Sequence, residues 1–446
     1  MKENSGKLTM IEKLAYGFGD FGGVLTWSSI SFFLSIYYTD SVGLSAASVG
    51  TLMLMTRLLD GFTDLIMGGI IDKTNTKYGK ARPWVLISAP MLTIGFIFLF
   101  NVPQNLSGNG KLIYAYISYI FVAAIAYTAS NLSYTTLMGL LTDLQEERNK
   151  VSSIRMMCSN ASGMTVSLLT PFLLRYITYG KIAYIYGILS LILLCLTFLG
   201  TKERVKISQK KNSKTMKFKE SVPLLLKNKY FLVATAVFLL SYTGNNLFNG
   251  SLVYYATYVL NNNELFGFLT LSATVPVLIG LPFVPGIARR HGKIKVMIAG
   301  FLLNVIGFLI IFFIAKDLVT TLLGTLIIGI GRIGILSNLF AFVADVVDYG
   351  EWKTGIRLDG MTNSVVSFGM KVGTGLGTAL SSWILAWGDY VPNVEQSAKA
   401  LLAIRMSASL VPLCILLVCI TILAFCKLDK EYPQVAKELA ERKQQL

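Results

Sequence analysis

The chain has 446 residues, 54% of them hydrophobic and only 14% charged, and its 40 Lys and Arg against 24 Asp and Glu give a net charge of +16. That composition excludes an ordinary soluble protein. Apolar stretches near the ~20 residues that cross hydrocarbon recur throughout, which leaves no room for one anchor plus a soluble domain. Five Cys without a CxxC pair and a single His, His291, support neither a disulfide framework nor a zinc site.

In chain order, the polar stretch Met1 to Lys13 is short and no small-residue cleavage pattern follows it, so no signal peptide is expected. Twelve spans are read next, over 14–38, 47–71, 84–103, 112–141, 151–174, 182–200, 230–260, 265–288, 296–315, 318–344, 361–387 and 402–426. With a cytoplasmic N-terminus, 30 of the 40 Lys and Arg fall on the cytoplasmic side. This is the positive-inside asymmetry, so the basic balance reports topology and anionic lipid, with no need for nucleic acid.

The first span carries Asp20, about seven residues, or ~10 Å, from its cytoplasmic start. The second carries Arg57, Asp60 and Asp64 at i, i+3 and i+7, on one helix face. One Asp at a helix centre costs about 2.5 to 3.5 kcal/mol by insertion scales. Two carboxylates there point to a cation site or a protonatable pair, because Arg57 cancels only one of them. The competing reading is a static ion pair that glues helices together. In the fourth span Thr128 and Asn131 lie at a similar depth to Asp60, so oxygen-bearing side chains of spans one, two and four converge near the midplane, where transporters place substrate and ion.

Arg155 lies in the fifth span, Arg332 at the centre of the tenth and Lys371 in the eleventh. Whether Arg332 is functional or structural stays open at this point. In the seventh span Asn245 and Asn249 share a face, as amide recognition of hydroxyls or interhelical hydrogen bonding requires. Tyr134 and Trp27 are among the aromatics that fit a sugar face or an interface anchor. The run Gly369 to Gly377 lacks the context of a phosphate loop and reads as close helix packing.

Between the sixth and seventh spans, 201–229 holds ten Lys and Arg and reads as a cytoplasmic linker. The turn Gly79-Lys80 recurs as Gly292-Lys293, 213 residues on, as a duplicated six-helix unit requires. The expected fold is therefore an all-α membrane protein with twelve transmembrane helices in two pseudo-symmetric six-helix bundles. The divisions are 1–200, the linker 201–229, 230–426 and a cytoplasmic tail 427–446.

Several motifs then identify a resemblance. They are Lys13 to Asp20, Arg57 to Asp64 continuing to Asp72, Gly79-Lys80-Ala81-Arg82-Pro83-Trp84, Tyr127 to Tyr134, Thr142 to Arg148 with Arg155, and Ala344 to Gly355. Over nearly its whole length the chain resembles the glycoside-pentoside-hexuronide:cation symporters, the melibiose-carrier-like branch of the major facilitator superfamily. The resemblance implies that Asp60 and Asp64 bind the coupling cation, with Thr63 and Thr128 as added oxygen ligands. It implies that Asp20 and Arg155 contact the sugar, with Asn131 where the melibiose branch has an Asp, and Lys371 beside the site. Gly19 stands where that branch has Lys.

The expected function is import of a sugar or glycoside with Na+ or H+, Li+ being a further option, by alternating access and with no other cofactor. Asn245, Asn249 and Tyr134 complete the expected substrate contacts. Asp72, Lys80, Arg82, Asp345, Asp348, Glu351 and Arg357 are expected to gate by latching the cytoplasmic side. A monomer in the cell membrane with both termini cytoplasmic is expected. A lipid or lysolipid transporter of related fold and a membrane sugar sensor are the alternatives. An enzyme is not expected, since no nucleophile and base pair or metal cluster stands out.

Overall fold

The computed structural model describes residues 7–205, 225, 228–315, 317–356 and 358–444. Among them there is no strand, and the helices follow the apolar periods of the sequence. In the first half they are α1 (Met10–Ile36), α2 (Ala46–Lys73), α3 (Arg82–Leu99), α4 (Gly108–Leu141), α5 (Gln145–Leu173) and α6 (Tyr179–Gly200). The second half has α7 (Lys229–Val259), α8 (Leu265–His291), α9 (Lys293–Ile314), α10 (Leu318–Thr354), α11 (Asp359–Trp387), α12 (Ala398–Ala424) and a terminal α13 (Leu428–Gln444).

Their starts are written in short polar side chains. Thr9 and Glu12 form a reciprocal capping box on α1, while Ser45, Ser107, Asn228, Asp317 and Ser397 cap α2, α4, α7, α10 and α12. Among the described residues, eight helices are long and apolar enough by themselves to cross a membrane. The other four expected spans are α1, α2, α5 and α11, which are 27 to 29 residues long. These carry Asp20, Arg57, Asp60, Asp64, Arg155 and Lys371, and α5 is rich in Ser, Thr and Asn besides, so charged and polar side chains lower their mean hydropathy.

The chain divides into two compact units, one holding α1 to α6 and the other α7 to α13. Within the first, α1 packs on α5 and α6, α3 on α4 and α6, and α2 on α4. In the second, α7 packs on α11 and α12, α9 on α10 and α12, and α8 on α10. Each pairing in one unit recurs six helices later in the other, which is the pseudo-symmetry read from the sequence. In α11, a Cβ at Gly373 or Gly377 would collide with the backbone oxygens of Leu239 or Thr243 on α7, so the glycine run is indeed a close helix contact.

The repeat extends to a device the sequence did not reveal. Gly79 and Gly292 have φ of 112° and 91°, a region that favours glycine. A side chain on Gly79 would strike the Glu203 carboxylate, and one on Gly292 the Asp429 carboxylate. Glu203 accepts from the backbone N–H groups of Lys80, Ala81 and Arg82 at 2.8, 2.8 and 3.0 Å, capping α3. Asp429 accepts from the Ile294 N–H at 2.8 Å, capping α9. In each unit a carboxylate just after the sixth helix meets the positive N-terminal end of the third.

Most of the expected linker, 206–224 with 226 and 227, lies outside the described residues. Its start, Thr201 to Val205, stays with the first unit, where the N–H groups of Arg204 and Val205 donate to the Leu140 carbonyl. The expected tail 427–446 proves to be largely α13, packed on α10. The Tyr432 hydroxyl donates to Asp348 at 2.9 Å, Trp352 Nε1 to Glu438 at 2.6 Å and Arg442 to the Trp352 carbonyl at 3.1 Å. Its high charge masked an amphipathic helix.

Candidate functional site

The first cluster forms where α2 meets α4. A π-helical turn over Phe121–Tyr127 shifts the register of α4 just before Thr128. The Thr128 hydroxyl then donates to Asp60 Oδ1 at 2.7 Å. The Arg57 guanidinium stands 4.0 Å from Asp60 Oδ2, at the limit of an ion pair, and 4.0 Å from the centre of the Trp27 ring. Trp27 in turn stacks on Tyr127 at 4.1 Å. Asp60 and Arg57 are each only 6% exposed, and Arg57 Nε has no hydrogen-bond partner among the described residues. Arg57 is thus held as much by cation–π contact as by charge, so the static ion pair is a loose one. Asp64, one turn on, is partly buried, and the Thr63 hydroxyl donates to the Asp60 carbonyl at 3.1 Å.

A second cluster joins α1 and α5. Arg155 Nε donates to Asp20 Oδ1 at 3.2 Å, and its guanidinium lies 5.3 Å from the Tyr134 ring centre. Tyr134 is 3% exposed and stacks on Tyr16 at 4.3 Å. The Tyr134 hydroxyl donates to the Tyr16 carbonyl at 2.7 Å and the Tyr16 hydroxyl to the Tyr134 carbonyl at 3.0 Å. Tyr134, an expected substrate contact, has its ring and hydroxyl engaged by Tyr16, and the same ring lies beside the Arg155 guanidinium. Gly19 is glycine because a Cβ would meet Thr197 and the Tyr134 ring. Asn131, one turn after Thr128, is exposed.

In the second unit, Asn245 and Asn249 on α7 are partly buried and make no hydrogen bond to a described residue. Their neighbour Asn246 faces α11, donating to Thr374 at 3.3 Å. Lys371 is partly buried on α11. Arg332, central in α10, lies 5.3 Å from the Phe248 ring centre.

The expected gating residues enter networks inside their own units. Lys293 Nζ donates to both oxygens of Asp345 at 2.7 Å, and Asp348 holds Tyr432. Arg82 donates to the Phe198 carbonyl at 2.6 Å and covers that ring. Lys80 contributes its backbone N–H to Glu203. Asp72 is exposed at the end of α2, Glu351 is partly buried, and Arg357 lies outside the described residues.

Sequence reasoning missed Trp27 as the seat of Arg57, the Tyr16 partner of Tyr134, and the partners of Glu147. That residue is buried at the start of α5, where it accepts from Lys13 at 2.7 Å and from the Leu8 N–H at 3.1 Å. Glu147 lies within the motif Thr142 to Arg148, but nothing in that motif points to Lys13 and Leu8 at the start of the chain.

The sequence matches the family described as MFS/sugar transport protein over residues 15–430. It is 32% identical to the uncharacterized symporter YnaJ of Bacillus subtilis (strain 168), over 99% of this chain and 97% of that one. It is 34% identical to the isoprimeverose transporter of Lactiplantibacillus pentosus, over 97% and 91%, and 28% identical to the glucuronide carrier protein homolog of Escherichia coli (strain K12), over 96% and 95%. Among solved structures, the nucleoside transporter NupG is similar with a TM-score of 0.65 at 15% identity, covering 93% of this chain and 100% of that one. A bacterial homolog of the human lysosomal transporter Spinster is similar with a TM-score of 0.66 at 12% identity, covering 97% and 98%. At those identities the structural likeness speaks for the fold alone.

Proposed function

Because this chain belongs to the MFS/sugar transport protein family, whose members are multi-pass membrane transporters, we propose that it is a secondary active symporter. In this reading it imports a sugar or glycoside, coupled to Na+ or H+, by alternating access. Relatives named as an isoprimeverose transporter and a glucuronide carrier support a saccharide cargo. The observation that carries the coupling is the buried Asp60 carboxylate, bonded to Thr128 and only loosely paired with Arg57.

Asp60 and Asp64 are like charges one turn apart in a medium of low dielectric, so a cation or proton relieves their repulsion. Thr128 and Thr63 supply further oxygen lone pairs for Na+, or Li+, a hard ion that takes oxygen ligands. Once the carboxylates are neutralised, Asp20 and Arg155 offer an acceptor and donors to sugar hydroxyls, with Asn131, Asn245, Asn249 and Lys371 as further contacts. Cation and sugar then raise each other's affinity by the same factor. The cytoplasmic charges Asp72, Lys80, Arg82, Asp345, Asp348, Glu351 and Arg357 are assigned to gating. Both termini are taken as cytoplasmic, on the Lys and Arg asymmetry, and the working unit as a monomer.

The test is uptake into liposomes of a panel of glycosides, pentosides and hexuronides under an imposed Na+ or pH gradient. Gradient-driven accumulation that is lost in Asp60→Asn is the expected result. Equal uptake with and without either gradient overturns the coupling and leaves a facilitator. Binding of sugar with no uptake leaves a sensor.

A further inference from the structure

Charge is divided unequally between the two units. Spans of the first carry Asp20, Asp60 and Asp64 beside Arg57 and Arg155. The spans 230–260, 265–288, 296–315, 318–344, 361–387 and 402–426 carry Arg332, Lys371 and Arg405 and no acidic residue. Arg332 is 15 residues from Asp317 and 13 from Asp345 along α10, about 20 Å from either at the helical rise.

The other intramembrane arginines each have an oxygen partner. Arg57 has Asp60, Arg155 has Asp20, and Arg405 donates to the Ala315 carbonyl at 3.1 Å. Arg332 makes no hydrogen bond or ion pair with a described residue. It is partly buried, and its guanidinium lies 5.3 Å from the ring centre of Phe248, itself fully buried on α7. A phenyl face offsets part of a guanidinium charge but satisfies none of its five N–H donors. Asn245, one turn before Phe248, and Asn249, next to it, have idle amide groups as well.

We propose that Arg332 binds an oxyanion carried by the transported saccharide, a carboxylate in the first instance, with Asn245 and Asn249 donating to the same group or to adjacent hydroxyls. The proposal rests on the sugar-transport reading above and narrows its cargo to acid sugars. A planar guanidinium matches a carboxylate with two parallel N–H donors, and at this depth that pairing is strengthened by the low dielectric. The substrate's negative charge thereby supplies the counterion that the spans of the second unit do not.

The test uses the full-length protein in nanodiscs and three probes per sugar: methyl glucoside and methyl galactoside, their C6-oxidised uronates, and the methyl esters of those uronates. Dissociation constants are measured by calorimetry at neutral pH with Na+. At least one uronate is expected to bind about tenfold or more tightly than both its alcohol and its ester. In Arg332→Gln that ratio falls to about one, and Arg332→Lys retains part of it.

Neutral glycosides binding as well as the uronates, or a ratio unchanged in Arg332→Gln, overturns the proposal while the transport reading stands. No binding by any uronate overturns the proposal, and the transport reading is then decided by the liposome panel, which includes pentosides. Ligand-free melting temperature is the second readout, with Arg332→Gln expected at or above the unsubstituted protein. A clear fall, or failure to fold, marks Arg332 as structural and overturns the proposal.

Discussion

The Thr128 hydroxyl donates to Asp60 Oδ1 at 2.7 Å, while Arg57, 4.0 Å from the other oxygen, lies over Trp27. Thr128, more than Arg57, therefore orients the carboxylate. A hydrogen bond to a charged group contributes about 1.5 to 3 kcal/mol. Thr128→Ala is expected to raise the Na+ or H+ concentration for half-maximal sugar protection by about tenfold or more, with Thr128→Ser near normal. Thermal protection by sugar, titrated with Na+ and repeated at two pH values, checks this. An unchanged midpoint in Thr128→Ala would remove Thr128 from the cation site.

Arg155 and Asp20 are 27% and 10% exposed and meet at 3.2 Å. Removing one partner of a buried pair leaves the other charge uncompensated, at about 3 kcal/mol or more. Arg155→Ala is expected to lower the melting temperature and abolish sugar binding, whereas Arg155→Ala combined with Asp20→Asn recovers stability but not binding. Recovery of both would reduce the pair to a structural role.

Glu147 gives the pH dependence. The hydrogen bond from Lys13, and then the Leu8 N–H, hold its carboxyl down to about 2 from an ordinary 4.5. A lowered folded value stabilises the protein in full above 4.5 and loses that contribution as pH falls toward 2. Glu147→Gln is expected to melt below the unsubstituted protein at neutral pH, with a gap that holds to about pH 5.5 and narrows below 4.5. Melting curves across that range decide it, and a gap that widens on acidification contradicts the assignment.

Glu203 caps α3 through three backbone N–H groups. Glu203→Ala is expected to cost about 1 to 2 kcal/mol, by analogy with lost N-caps. Gly79→Ala adds strain at a φ of 112° and displaces the same carboxylate. The two defects share a partner, so the double variant is expected to be less destabilised than their sum. Additive melting shifts would show the cap and the glycine to be independent.

Much of this was legible beforehand because hydrocarbon penalises charge. Asp20, Asp60 and Asp64 stand out in apolar stretches, and the structure joins Asp60 to Thr128 and Asp20 to Arg155. What escaped notice rests on contacts without a local signature. Nothing near Glu203 announces a partner 121 to 123 residues away, and stacked tyrosines look like any span aromatics. The sequence therefore offered Tyr134 as a substrate contact with no sign of its Tyr16 partner, and the Lys and Glu content of 427–446 gave no sign of α13.

The paired bonds between Tyr16 and Tyr134 bear on motion. Each ring is pinned at its hydroxyl to the main chain of the opposite helix, and the two rings lie nearly flat on one another, 14° from parallel. Sliding α1 along α4 would stretch both anchors, and rolling either helix would lift one ring from the other. Helix one is therefore coupled to helix four like a bolted beam, so any rearrangement during a transport cycle has to carry both together and find its flexibility elsewhere.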